Sequence, residues 1–133
     1  MSVRNVVLVL VGMAAFSAVR SAWIEPRALA KVTEEFGLSA EGQAVYRSCR
    51  QMMRGKEFRS GQSEVTGCGC IAGVAQEQLN AEDMPRFASV LESARGADED
   101  EVGTVLLGAA FELPGQSGLN VATTLGSALG ECS

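Results

Sequence analysis

Apolar residues recur at steps of three and four along most of the chain, the spacing of one face of an α-helix. Ala28, Leu29, Val32 and Phe36 follow it, opened by Glu25-Pro26 and closed by Gly37. Proline is tolerated in a first turn, an acid there suits the helix dipole, and glycine ends helices. Ser39 is placed to cap a second helix. Its stripe runs Val45, Ser48, Cys49, Met52 and Met53 before Gly55 stops it. A polar loop over 56–62, with the single Phe58, leads to a third helix starting near Ser63, whose main stripe is Val65, Cys68, Ile71, Ala72, Ala75 and Leu79. Asn80 or Asp83 caps a fourth, with Pro85 in its first turn and Met84, Phe87, Val90, Leu91 and Ala94 on its buried face, up to Gly96. Asp98 and Glu101 form a start resembling a capping box for a fifth helix bearing Val102, Val105, Leu106, Ala109, Ala110 and Leu113. Pro114-Gly115 breaks the chain, and Val121, Leu125, Ala128 and Cys132 share one face of a last helix. No alternating strand pattern appears. The expected fold class is therefore all-α: a small, disulfide-stapled bundle of four to six short helices after an N-terminal signal peptide, packed around the helix at 68–75.

The first segment carries a different pattern. Arg4 precedes an uncharged run, Val6 to Phe16, and small residues follow at Ser17, Ala18, Ser21 and Ala22. That is the order of a secretory signal peptide. The expected leader is 1–22, cut near 17 or 22, and 23–133 forms a single helical domain. Arg20 closes the apolar run before the ~20 residues that a spanning helix needs, so no integral membrane span is expected once the leader is removed. An uncleaved anchor or a buried helix is the alternative.

Composition sharpens this picture. With 47% hydrophobic and 20% charged residues the chain is globular in character. Aromatics are only 5% and glycines number 15, so the core is built from small side chains. Such a core buries little area per residue, and covalent staples compensate for that. Histidine is absent, which removes the commonest general base and the commonest zinc ligand. The net charge of −5 speaks against nucleic-acid binding. Seven Lys/Arg stand against five acids between Trp23 and Ser60, whereas only Arg86 and Arg95 stand against eleven acids from Gly61 onward.

Cys49, Cys68, Cys70 and Cys132 are the candidate chemistry. An even count in an exported chain reads as two disulfides. Residues two apart on a helix point about 200° apart, so Cys68 and Cys70 do not pair with each other. Cys49 and Cys68 both lie on core stripes of helices joined by one loop. Cys49–Cys68 with Cys70–Cys132 is the preferred arrangement, and the exchanged pairing stays open. Gly67, Gly69 and Gly73 would let a neighbouring helix approach closely beside the disulfides. The rival reading is thiol-based: a Cu or Zn site, or a redox pair, using Cys68 and Cys70, with Cys49, Met52 and Met53 at hand as soft ligands.

Arg47, Arg50, Arg54 and Arg59 form the one charge concentration that helix capping does not account for, and are a possible partner-facing cluster. Solvated side chains pairing with the acidic second half are the plainer reading. The acids at 98–101 lack the alternating ligands and central glycine of a calcium loop. Gly126 and Gly130, four apart, read as internal close packing. Cys49, Cys68-x-Cys70-Ile71-Ala72 and the helix start Asn80-Ala81-Glu82-Asp83-Met84, with a leader ahead, resemble a loose set of small exported bacterial helical proteins. The resemblance implies a Gram-negative periplasm and no particular activity. No nucleophile elbow, phosphate cradle or matched acid–base pair is present. The expectation is a periplasmic or secreted, non-catalytic protein that needs no cofactor and binds another protein or an envelope component.

Overall fold

Gly37 adopts φ +62°, a left-handed conformation that side chains beyond glycine rarely take, and it ends the first helix. The computed structural model describes residues 26–132. Six helices follow one another there: α1 (26–36), α2 (Ala40–Met52), α3 (Glu64–Gln78), α4 (Asp83–Ser93), α5 (Val102–Phe111) and α6 (Gln116–Cys132). The described residues contain no strand. The leader at 1–22 and its cleavage positions lie outside them, as does the acid at Glu25. Among the described residues no helix is long and apolar enough to cross a membrane.

Side-chain chemistry sets the starts of α2, α3 and α4. The Ser39 hydroxyl accepts from the Gly42 N–H at 3.2 Å, and the Ser63 hydroxyl from the Thr66 N–H at 3.2 Å, each satisfying an orphan donor of a first turn. Asn80 does the same for α4, its carbonyl accepting from the Asp83 N–H at 2.9 Å. Of the two candidates for that cap, Asn80 supplies it, and Asp83 is free for another task. The capping box expected at Asp98 and Glu101 does not form. Glu101 has helical backbone angles and no side-chain cap. The Glu101 and Val102 N–H groups donate to the Asp98 carbonyl at 2.8 and 3.1 Å, so a backbone turn, rather than a side chain, leads into α5. The turn between α1 and α2 is clamped from α3: Gln76 accepts from the Ser39 N–H at 2.6 Å and donates to the Gly37 carbonyl at 2.8 Å.

α3 carries apolar or small residues on nearly every side and is covered accordingly. Cys68, Ile71, Ala72, Val74 and Ala75 are all buried. α2 and α6 pack against it, and Val32 and Phe36 of α1 reach it from another side. A side chain at Gly67 would overlap the Phe58 ring, and one at Gly69 would overlap Phe36. The close approach read from these glycines is thus made by two phenylalanine rings rather than by a helix backbone. Phe58, alone in its polar loop, is a buried plug at 7% exposure.

Packing around α3 does not extend to α5: among helices α2 to α6, α5 packs on α4 and α6. α2 bridges the two halves by packing on both α3 and α4. Tyr46, Met52, Ile71, Phe87, Leu91, Leu106 and Leu125 fill the interior, so each helix from α2 to α6 contributes at least one large buried side chain.

Candidate functional site

The sulfurs form two bonds. Cys49 is joined to Cys68 and Cys70 to Cys132, at sequence separations of 19 and 62. This is the preferred of the two arrangements. Cys68 faces α2 and Cys70 faces α6, so one turn of α3 holds both neighbours covalently. No described cysteine is free, and thiol-based Cu, Zn or redox chemistry at Cys68 and Cys70 would begin with reduction. Among the described residues, no three Cys, Asp or Glu side chains are gathered as a metal-binding group.

Sequence reasoning missed the most concentrated polar cluster. Asp83 opens α4 with only 3% exposure. Its carboxylate accepts from the Ser117 hydroxyl at 2.7 Å, from the Asn120 amide at 3.3 Å and from Arg86 at 3.3 Å. Arg86 also donates to the Ser117 hydroxyl, and Gln116 donates to Asn120 at 3.2 Å. The Ser117 hydrogen bond, with those from Asn120 and Arg86 and the Arg86 charge, holds the Asp83 carboxyl below its ordinary value against the opposing effect of burial. The signal was available: Asp83 lies four residues before Phe87, on the apolar stripe of α4, and a carboxylate there needs partners. Chemically, a carboxylate with a lowered pKa and every neighbour donating to it is a poor general base. The cluster ties the start of α4 to the start of α6.

The four arginines differ in their surroundings. Arg47, Arg54 and Arg59 are exposed. Arg50 is drawn inward: it donates to the Tyr46 hydroxyl at 2.8 Å, lies 5.8 Å from the centre of that ring and meets Glu64 at 3.4 Å. Glu64, in the first turn of α3, belongs to the acidic second half, so Arg50 makes the pairing that the plainer reading expects. The acidic half also reaches α2 through Glu92, which accepts from Ser48 at 3.1 Å.

Arg59 stands on the rim of a cleft of about 510 Å³. Met52, Met53 and Phe58 line it from the end of α2 and the loop that follows, Ile71 from α3, and Val102, Gly103, Leu129 and Gly130 from α5 and α6. Lys56, Glu57, Arg59 and Glu99 line the cleft too. Lys56 spends one of its protons on the Met52 carbonyl at 2.8 Å, which fixes the end of α2. The two disulfides place the walls: one holds α2 to α3 and the other holds the end of α6 to α3, on either side of Ile71. A side chain at Gly103 or Gly130 would meet nothing within 4 Å, so these glycines leave the mouth open. The close packing expected at Gly126 and Gly130 is absent, because both are exposed, off the buried Val121, Leu125, Ala128 and Cys132 stripe.

Comparison of the chain with protein-family models, with curated proteins and with solved structures finds no match.

Proposed function

We propose that the protein is an exported, non-catalytic interaction module of the bacterial cell envelope, periplasmic or secreted, and that its cleft receives an apolar group of a protein partner. The carrying observation is the cleft itself: buried Met52, Met53, Phe58 and Ile71 among its lining, charged Lys56, Glu57, Arg59 and Glu99 lining it too, and the helices that form it joined by both disulfides. An apolar pocket inside a polar rim is the anatomy of an interface hot spot, and its volume falls in the ~300–1,000 Å³ range of binding pockets. Pinned walls lower the ordering cost of binding. Two disulfides fit an oxidising compartment, as does the leader pattern ahead of them. The lowered pKa of Asp83 and the lack of histidine favour binding over acid–base catalysis.

Crosslinked capture from the cell envelope tests the reading. Gly103→Leu fills the cleft from a position with open space around it, and Arg59→Glu reverses a rim charge. Both variants should keep the helical spectrum of the parent, and Gly103→Leu should lose the partner that the parent captures. Capture that both variants retain in full would remove the cleft from the interface.

A further inference from the structure

We propose that the protein self-associates as a two-fold dimer through the outer face of α5, packed antiparallel against α5 of a second copy. The proposal stands independently of the cleft. It begins with a surplus. The ten residues of α5 include no charged side chain and are apolar nearly all round, yet only Leu106 and Ala110 are buried. A helix of that composition is ordinarily enclosed. Its inner stripe, Val102, Val105, Leu106, Ala109 and Ala110, is the one packed in this chain. The outer stripe, Thr104, Leu107, Gly108 and Phe111, has the three-four-seven spacing of a helix–helix seam and is exposed throughout. Leu107 is 48% exposed and Phe111 69%, and Leu119, just past the turn into α6, is 57% exposed. These are among the few large apolar side chains left in solvent, and such a concentration marks an interaction surface.

The stripe is self-complementary. A two-fold axis passing between Leu107 and Gly108 sets Leu107 against Gly108 of the second copy, and Phe111 against its Thr104. Each large side chain then meets a small one, in both directions, as an isologous contact requires. Gly108 has nothing within 4 Å of where its side chain would stand, so the hole is open from outside and has no use within the chain. It costs α5 about 1 kcal/mol relative to alanine.

Charge selects the occupant. From Val102 to Gly130 the only charged residue is Glu112. On a chain of net charge −5, the uncharged outer stripe of α5 lets a second copy approach with little like-charge repulsion across the seam itself. The antiparallel arrangement sets the acids at 98–101 of the two copies at opposite ends. α5 and α6 carry no lysine or arginine of their own, so the apolar stripe lacks the basic flank with which a helix binds an anionic lipid surface. A single helix crossing with Leu119 beside it is a small interface, below the ~1,200 Å² of stable complexes, and the dimer is accordingly concentration-dependent.

Sedimentation equilibrium of the protein purified from the exporting cell, across a wide concentration range, tests this. A monomer–dimer equilibrium is expected. Leu107→Glu and Phe111→Glu alter exposed side chains and should leave the helical spectrum intact. Each occurs twice in the contact, so the midpoint should rise by at least about 100-fold. The register has its own test: Phe111→Lys mixed with Thr104→Glu should form a heterodimer tighter than either variant with itself. A protein monomeric at every concentration, a dimer indifferent to both glutamate substitutions, or a mixture that gains nothing would each overturn the proposal. So would binding to phospholipid vesicles in place of dimer formation.

Discussion

Cys68 and Cys70, two residues apart on α3, are bonded to opposite neighbours: the first to Cys49 of α2, the second to Cys132 at the end of α6. The helical repeat that turns their side chains away from each other lets one short segment hold two helices. The loops closed differ in length, at separations of 19 and 62. In the chain-entropy account the bonds contribute about 3 and about 4 kcal/mol respectively. Removing Cys70–Cys132 by paired serine substitution should therefore lower the urea midpoint more than removing Cys49–Cys68. Thiol titration of the unreduced, unfolded protein should find no free sulfhydryl. An equal loss from the two deletions would show that native contacts, not loop length, set the contributions.

Asp83 makes stability depend on acid. Its folded pKa lies below the usual ~3.9 of an unfolded aspartate. The folded state thus binds the proton less readily than the unfolded one. The stabilisation is fully present above the unfolded pKa and disappears as pH falls through the lower folded value. Asp83→Asn should cost about 2 kcal/mol at neutral pH by weakening the hydrogen bonds from Ser117, Asn120 and Arg86. It should also flatten the acid limb of a stability–pH curve measured from pH 6 to 2. An unchanged acid limb would assign acid sensitivity to other carboxylates.

Much of this architecture is legible in the residues because the helices carry clean stripes. Val45, Cys49 and Met52 on α2, Phe87, Val90 and Leu91 on α4, and Val121, Leu125 and Cys132 on α6 are all buried as their spacing requires. The same geometry excludes a Cys68–Cys70 bond, and the structure decides between the two pairings that spacing leaves open. Three features escape a reading of the stripes, each for a local reason. Phe58 lies in a polar loop, and only the missing side chain of Gly67, nine residues on, explains where its ring goes. Asp83 reads as a cap until its partners on α6 are seen. The cleft is assembled from four separate segments, and no stretch of sequence contains it.

The helical glycines divide into two kinds that a stability series should separate. Gly67 is filled by the Phe58 ring, so Gly67→Ala should displace the plug and cost about 1–3 kcal/mol. Gly126 is exposed with nothing within 4 Å, so Gly126→Ala should raise stability by about 1 kcal/mol through helix propensity alone. Denaturant unfolding of both variants checks the pair. A destabilising Gly126→Ala would reveal a neighbour on that face of α6.

Soft-metal binding, if the protein is reduced, should follow the disulfide geometry rather than the Cys-x-Cys spacing. Cys68 and Cys70 diverge around α3 and bond to different helices, whereas Cys49 and Cys68 already meet, with Met52 and Met53 buried nearby on the α2 side. Cu(I) favours few, soft ligands, and two thiolates brought together by packing suit it. The oxidised protein should show no tight Cu(I) or Zn binding, because its sulfurs are consumed in bonds. In the reduced protein, Cys49→Ser should abolish whatever tight Cu(I) binding appears, and Cys70→Ser should leave it in place. The opposite result, binding lost with Cys70→Ser while the helical spectrum persists, would mean that reduction rearranges α3 and brings Cys68 and Cys70 to one ion, which would restore the thiol-based reading of the chain.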